Sequence, residues 1–297
     1  MSNFFEQYGK ALFTVVLVVI LIAFAGPLGT KIKEYIVAKV SQTEQIGKDE
    51  ITVATGDTVR PAEPAEAVDK VYCIYYDDGE MTISQNKIET EAGRTVVNKG
   101  FYTAPSDCTT EMITVRFEGI VKPKSCAIWF MACKNLTEIK NIENLYTNEC
   151  INMTYMFYCC NNLTNLDVSH FDTSKVTNMP FIFAYCYNLT NLDVSNFDTS
   201  KVESMEGMFA YCTNLTNLDL SHFDTSKVTN MSSMFVYCNE LPSLDLSSFD
   251  TSNVTDMFQM FYDCYGLKSI TATQTVKDKL LSSSNSQVPS SVTWIIK

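Results

Sequence analysis

The sequence predicts an α/β solenoid: a stack of strand–turn–short helix repeats, with an N-terminal transmembrane or signal helix and a small β cap unit ahead of it. Three observations lead there. Four registers recur in step every 26 residues through the C-terminal half of the chain. Within each copy, an apolar alternation of period two gives way to a spacing of three to four, the patterns of a strand and a helix face. The single long apolar run stands apart at the N-terminus, separated from the repeats by a polar stretch and a set of strand-like segments.

Residues Ala11–Ala25 carry no charge, and Gly26-Pro27-Leu28-Gly29-Thr30 extends the uncharged run to Thr30. Twenty helical residues rise about 30 Å, the thickness of a bilayer core. Residues 11–30 are therefore expected to meet a membrane. A cleaved signal would use Ala23-Phe24-Ala25 as its A-x-A site. An uncleaved anchor would continue past the proline, since Ile32, Ile36 and Val40 recur every four residues beside Lys31, Lys33 and Lys39. Both readings assign residues 1–40 to one membrane-spanning or signal helix, and charge alone leaves its orientation open.

Residues 41–67 are polar, acidic and punctuated by Gly47, Gly56, Pro61 and Pro64, which reads as a linker. Residues 68–122 read as a small β-rich unit. VYCIYY (Val71–Tyr76) and MTIS (Met81–Ser84) flank Asp77-Asp78-Gly79-Glu80, a hairpin signal, and Arg94–Tyr102 and Met112–Ile120 add two strand candidates. So small a unit is expected to pack on the repeats and cap them.

The repeats fill residues 123–270. FDTS starts at Phe171, Phe197, Phe223 and Phe249. A Met/Ile-Phe pair ends at Phe157, Phe183, Phe209, Phe235 and Phe261, cysteine follows at Cys160, Cys186, Cys212, Cys238 and Cys264, and leucine at Leu163, Leu189, Leu215, Leu241 and Leu267. Such a period signifies a solenoid. In LTNLDVSHF (Leu163–Phe171), Leu166 and Val168 are expected inward, with Asn165, Asp167 and Ser169 outward on a short strand. Met231, Met234/Phe235, Cys238 and Leu241 fit one face of a short helix, capped by Thr229 or Asn230, and Pro180 suits the first turn of that helix. Residues 271–297 form a C-terminal cap: a helix over 272–283, and a strand over 291–297 whose Trp294 and Ile295 cover the open end.

LDLSHFDTSKVTNMSSMFVYCNEL (Leu218–Leu241) resembles the repeat of the BspA-type leucine-rich-repeat surface proteins, and the likeness spans about half the chain. Val121–Leu145 resembles the degenerate leading repeat of that family. The first junction, LYTNECINM, departs from FDTSKVTNM: Leu145, Tyr146 and Cys150 replace Phe, Asp and Val, and the spacing there is 27. Terminal repeats are commonly atypical. The resemblance implies a leucine-rich-repeat-like stack and a cell-surface or secreted binding or adhesion role, with an extracellular protein or glycan as partner. It brings no catalytic residues and no cofactor.

The cysteine ladder lies on the same face as Met and Phe, so its members are expected to be reduced, buried core residues; their spacing matches no zinc motif. Residues 163–266 hold ten Asp, three Glu and three Lys, giving −10 of the chain's −12. That charge repels nucleic-acid phosphates, and no nucleic-acid partner is expected. Asp167, Asp193, Asp219 and Asp245 should form one row along the strand face, flanked by Asn165, Asn191 and Asn217. Solvent, the Ser and Asn neighbours and Lys175, Lys201 and Lys227 can neutralise that row; the alternative is a strip that binds a cation such as Ca²⁺ or a basic or polar ligand. Asp172, Asp198, Asp224 and Asp250 are read as turn-making residues. His170 and His222 are the chain's two histidines, no recognised catalytic motif accompanies them, and no enzyme is expected. A different class of reading is a pilin-like or secretion-apparatus subunit assembled through its N-terminal helix, suggested by Glu6 ahead of the apolar run.

Overall fold

In the repeats, backbone amides alternate between two kinds of partner. Tyr155, Phe157 and Cys159 donate to the carbonyls of Pro180, Ile182 and Ala184 on the next turn at 2.9–3.0 Å. The amides between them bond locally: Met156 to Met153, Tyr158 to Tyr155 and Cys160 to Phe157 at 3.1–3.2 Å. Each local bond closes a β-turn, so the segment is a run of tandem turns rather than a helix. The computed structural model describes residues 66–283 and 285–297, and through the repeats it is a β-solenoid of about seven turns.

The short helix expected in each repeat is thus replaced. The backbone makes the reason plain. Tyr155 and Cys159 have φ of 57° and 60°, and the pairs Phe181/Tyr185, Gly207/Tyr211, Ser233/Tyr237 and Gln259/Asp263 repeat this left-handed conformation. A right-handed helix needs φ near −63° at every residue, and each left-handed position costs a non-glycine residue about 1–2 kcal/mol. Hydrogen bonding to the neighbouring turn and burial of the apolar face offset that cost. Asn230 accordingly caps a turn: its Oδ1 accepts from the Ser232 amide at 2.8 Å, and its backbone pairs in parallel with Ser204 and Asp256. Asn152 and Asp256 accept equivalently from Thr154 and Phe258. Pro180 stands at the position of those donors, so its missing N–H removes only this one bond.

The apolar pattern nevertheless reports burial faithfully. Phe130, Phe157, Phe183, Phe209, Phe235 and Phe261 stack as one buried column with ring centroids 5.4–6.0 Å apart. Trp129 meets Phe130 edge-on and stacks on Phe117, carrying the column into the N-terminal cap. Leu166, Leu192, Leu218 and Leu244 are buried, alternating with outward positions, but of the strands expected here only Ser243–Asp245 forms, and Asn191 and Asn217 meet in an isolated bridge.

The cap is a sheet that runs into the solenoid. Strands β1 (Val71–Tyr76), β2 (Glu80–Ser84), β3 (Val96–Tyr102), β4 (Thr114–Phe117) and β5 (Glu138–Lys140) lie in the order β3-β1-β2-β4-β5. The β1–β2 hairpin turns through Asp77–Gly79, with Gly79 at φ 88° supplying the left-handed residue a three-residue loop uses. Central β1 is almost continuously apolar because it is covered on both faces. Strands β2, β4 and β5 pair in parallel, so β4 is in effect the first rung of the repeat wall. Glu80 on β2 ties the rungs together by accepting from Arg116 on β4 at 3.2 Å and lying 3.6 Å from Lys140 on β5.

At the other end, β6 (Ser243–Asp245), β7 (Ser269–Ala272) and β8 (Thr293–Ile296) form a parallel sheet in that order, and helix α1 (Gln274–Ser282) links the last two. Thr273 caps α1 by accepting from the Val276 amide. Trp294 sits in register with Ile270 and turns inward, but Ile295 is 50% exposed. Adjacent strand residues face opposite ways, so only one of the two residues expected to cover the end can do so. The helix expected over residues 1–40 and nearly all of the linker lie outside the described residues. Among the described residues, no helix is long and apolar enough to cross a membrane.

Ser233→Gly distinguishes tandem turns from helices. In a helix it would cost about 0.5–1 kcal/mol, whereas at φ 56° it should leave stability unchanged or raise it by up to about 1 kcal/mol, read by urea unfolding. Leu218→Ala should cost about 2–5 kcal/mol as a core deletion, and the exposed Lys227→Ala less than about 1 kcal/mol.

Candidate binding surface

The residues repeated most regularly turn out to have internal duties. Thr147, Thr173, Thr199 and Thr225 are buried, and each hydroxyl donates to the Asp carbonyl one turn on, at Asp172, Asp198, Asp224 and Asp250, over 2.9–3.0 Å. The amides of Asp224 and Asp250 donate back to the hydroxyls of Thr199 and Thr225. The side chains of Asp172, Asp198, Asp224 and Asp250 accept from the amides of Ser174, Ser200, Ser226 and Ser252 at 2.8–2.9 Å, the turn-making bonds their sequence position suggested.

The strand-face row has the same geometry, which the sequence reading missed. Asp167, Asp193, Asp219 and Asp245 accept from the amides of Ser169, Ser195, Ser221 and Ser247 at 2.9–3.0 Å. Asp-x-Ser in every copy was the available signal, since aspartate bonds its own chain two residues on. The serine hydrogen bonds hold the carboxyls of Asp167, Asp193 and Asp219 below their ordinary range, although the row's members repel one another. Asp245 is lowered too, by Lys297 and Ser247 acting against desolvation.

Asp167, Asp193 and Asp219 are exposed, as are Asn165, Asn191 and Asn217, whereas Asp245 is half-buried and pairs with Lys297 at 2.5 Å. The open part of the strip is therefore three turns long. Asn191 and Asn217 are also bridged in parallel, which fixes their spacing. Among the described residues, no three histidine, cysteine or acidic side chains converge as metal ligands.

The two histidines occupy the position that Asn196 and Ser248 use to bind the previous turn: Asn196 Nδ2 reaches the carbonyls of Val168, Ser169 and Phe171, and Ser248 Oγ that of Leu220. His222 Nδ1 instead lies 2.9 Å from Ser221 Oγ, and His170 Nδ1 lies 3.4 Å from Ser169 Oγ. A catalytic triad requires the carboxylate to orient the imidazole. Here Asp219 holds Ser221 itself.

The cysteine column is buried throughout. Cys160, Cys186, Cys212, Cys238 and Cys264 donate to the carbonyls of Phe130, Phe157, Phe183, Phe209 and Phe235 on the preceding turn at 2.9–3.2 Å. Desolvation pushes these thiols up, Cys212 and Cys264 to about 12, so they remain protonated donors.

The tandem-turn wall carries a feature that went unread: Tyr158, Tyr185, Tyr211 and Tyr237 form a continuous aromatic run with centroids 4.3–5.1 Å apart. Tyrosine two residues after each core phenylalanine (Tyr185, Tyr211, Tyr237) was the signal. The rings of Tyr185, Tyr211 and Tyr237 stack face to face, so this run offers edges rather than open platforms. Beside it, half-buried Glu206 accepts from Asn230 Nδ2 at 3.2 Å, and desolvation with help from Asp256 pushes its carboxyl up to about 7.

The geometry defines a repeat protein of the leucine-rich-repeat-like solenoid class, its identically repeated side chains serving the stack. The chain belongs to the family described as "Mycoplasma protein of unknown function, DUF285", whose model matches residues 124–235 and 186–286. Two solved structures are similar to it at low superposition: a leucine-rich repeat protein of T. pallidum (14% identity, 79% of this chain and 100% of that one, TM-score 0.31) and one from Bacteroides ovatus ATCC 8483 (15%, 70% of each, 0.24). No curated protein matches.

Because the folded state binds the Glu206 proton more tightly than the unfolded chain does, the contribution of this one group to stability should be fully present below about pH 4.3, the ordinary glutamate value, and be lost as pH rises through about 7. Glu206→Gln should therefore stabilise the protein at pH 8, by roughly 1–3 kcal/mol. At pH 4 it should change little. A thermal melt series across pH reads the difference.

Proposed function

We propose that this chain is a surface-displayed protein of the BspA type, membrane-anchored or secreted, that uses its solenoid to recognise an extracellular protein or glycan. The observation that carries the reading is the open strip of Asn165, Asn191, Asn217 and Asp167, Asp193, Asp219, three polar turns held in register by a rigid stack. Extended, regularly spaced surfaces of this kind are how solenoids commonly engage ligands. The apolar run over residues 11–30 supports export or anchoring, and the 26-residue repeat supports the family resemblance. The strip suits a partner with basic or hydrogen-bonding groups, and the turn bonds leave the outer carboxylate lone pairs available to it.

The test is a screen of the purified chain against glycans and extracellular-matrix proteins, followed by the Asp193→Asn/Asp219→Asn double variant. Asparagine preserves the turn acceptor and removes the charge, so circular dichroism should be unchanged. Affinity should drop several-fold and its salt dependence flatten, since exposed charges are screened beyond about 8 Å at physiological ionic strength. Unchanged affinity would exclude the strip.

A further inference from the structure

Cys126 and Cys150 differ from the five cysteines of the column. Their sulfur atoms face each other at 2.9 Å, and both residues are fully buried. The column cysteines instead direct their thiols to backbone carbonyls of the preceding turn.

The pair also marks a double departure from the repeat. The Cys126 amide donates to Asn152 of the next turn, as the Met153, Met205 and Met231 amides donate to Asn178, Asn230 and Asp256. Cys126 therefore stands in the methionine row. The Cys150 amide donates to the Thr147 carbonyl, as Val176, Val202, Val228 and Val254 do to Thr173, Thr199, Thr225 and Thr251. Cys150 therefore stands in the valine row. At this one junction, methionine and valine are both replaced by cysteine, and the two replacements meet. Nothing in core packing requires that: methionine and valine fill the equivalent positions in the later turns.

We propose that Cys126 and Cys150 are a dedicated disulfide site, closed by thiol–disulfide exchange with a small-molecule or protein disulfide as the oxidant. The thiolate of one cysteine attacks the oxidant's disulfide and expels one thiol, giving a mixed disulfide. The other cysteine then attacks the protein-side sulfur of that bond, forming the Cys126–Cys150 linkage and releasing the second thiol. Two thiols of the chain are oxidised, one external disulfide is reduced to two thiols, and two protons end on the leaving thiols. Closure brings the sulfurs from 2.9 Å to about 2.05 Å. Because both are buried, the exchange belongs to folding, before the first turn docks on the second. The bond joins the leading turn, which is continuous with the cap sheet, to the first regular repeat. It places the cross-link where the stack is least regular.

The proposal is independent of what the strip binds. Its test is refolding of the full chain in a buffer of reduced and oxidised glutathione, followed by alkylation under denaturing conditions and peptide mass spectrometry. The expected product is a single linked peptide pair containing Cys126 and Cys150, lighter by two hydrogens, with Cys160, Cys186, Cys212, Cys238 and Cys264 alkylated. The oxidised chain should melt on the order of 5–10 °C higher than the same chain in reductant. Cys126→Met/Cys150→Val, which restores the repeat's own residues, should fold and show no dependence on reductant. Full alkylation of Cys126 and Cys150 after oxidative refolding would overturn the proposal, as would linkages scattered among the column cysteines.

Discussion

The stacking of the repeats depends on alternate amides of the tandem-turn segment reaching across to the next turn. Phe157 to Ile182, Phe183 to Met208, Phe209 to Met234 and Phe235 to Met260 repeat one bond at 2.9–3.1 Å. That bond fixes the number of residues in a turn, because an insertion would move each donor off its acceptor. It also forces identical side chains on top of one another. Rings, hydroxyls and thiols therefore form columns, and each column must be something that packs against itself. Phenylalanine stacks, buried threonine can donate and accept at once, and a protonated cysteine donates to a carbonyl that its small volume lets it reach.

This constraint separates the regular residues from the variable ones. The FDTS motif is consumed from within: the phenylalanine is core, the aspartate accepts a serine amide, and the threonine joins adjacent turns. Asp-x-Ser on the strand face is likewise a turn device whose unused oxygens happen to face water. Positions free of such duties vary. The first left-handed position of the tandem turns holds tyrosine, phenylalanine, glycine, serine and glutamine in successive copies. Glycine at 207 is coupled to its neighbour, since a Cβ there would lie 2.1 Å from the Phe181 ring, which itself stacks on Tyr155.

The two ends meet the problem of unfinished columns differently. The N-terminal end adds a mixed sheet whose strand β4 acts as an extra rung, and whose Glu80 gathers Arg94, Arg116 and Lys140. The C-terminal end adds one parallel strand through a helical crossover, with Trp294 turned inward and Lys297 reaching back to Asp245. That ion pair takes the last carboxylate out of the acidic row, leaving three exposed.

What the amino-acid sequence determined by itself was the period, the inward and outward faces, the hairpin at Asp77–Gly79 and the terminal helix and strand. All of these are set by local chemistry: spacing of apolar residues, turn glycine, and the threonine cap before α1. The backbone of the methionine–phenylalanine segment was decided elsewhere. Burial of Met231, Phe235, Cys238 and Leu241 fits a helix face and a run of tandem turns equally well, because both bring residues three or four apart to one side. The choice rests on which acceptors each amide can find, and half of those acceptors lie 25 residues away on the next turn. The aspartates' duties, the tyrosine run and the meeting of Cys126 with Cys150 are likewise products of stacking. Only the tertiary structure brings such distant residues to hydrogen-bonding or contact distance.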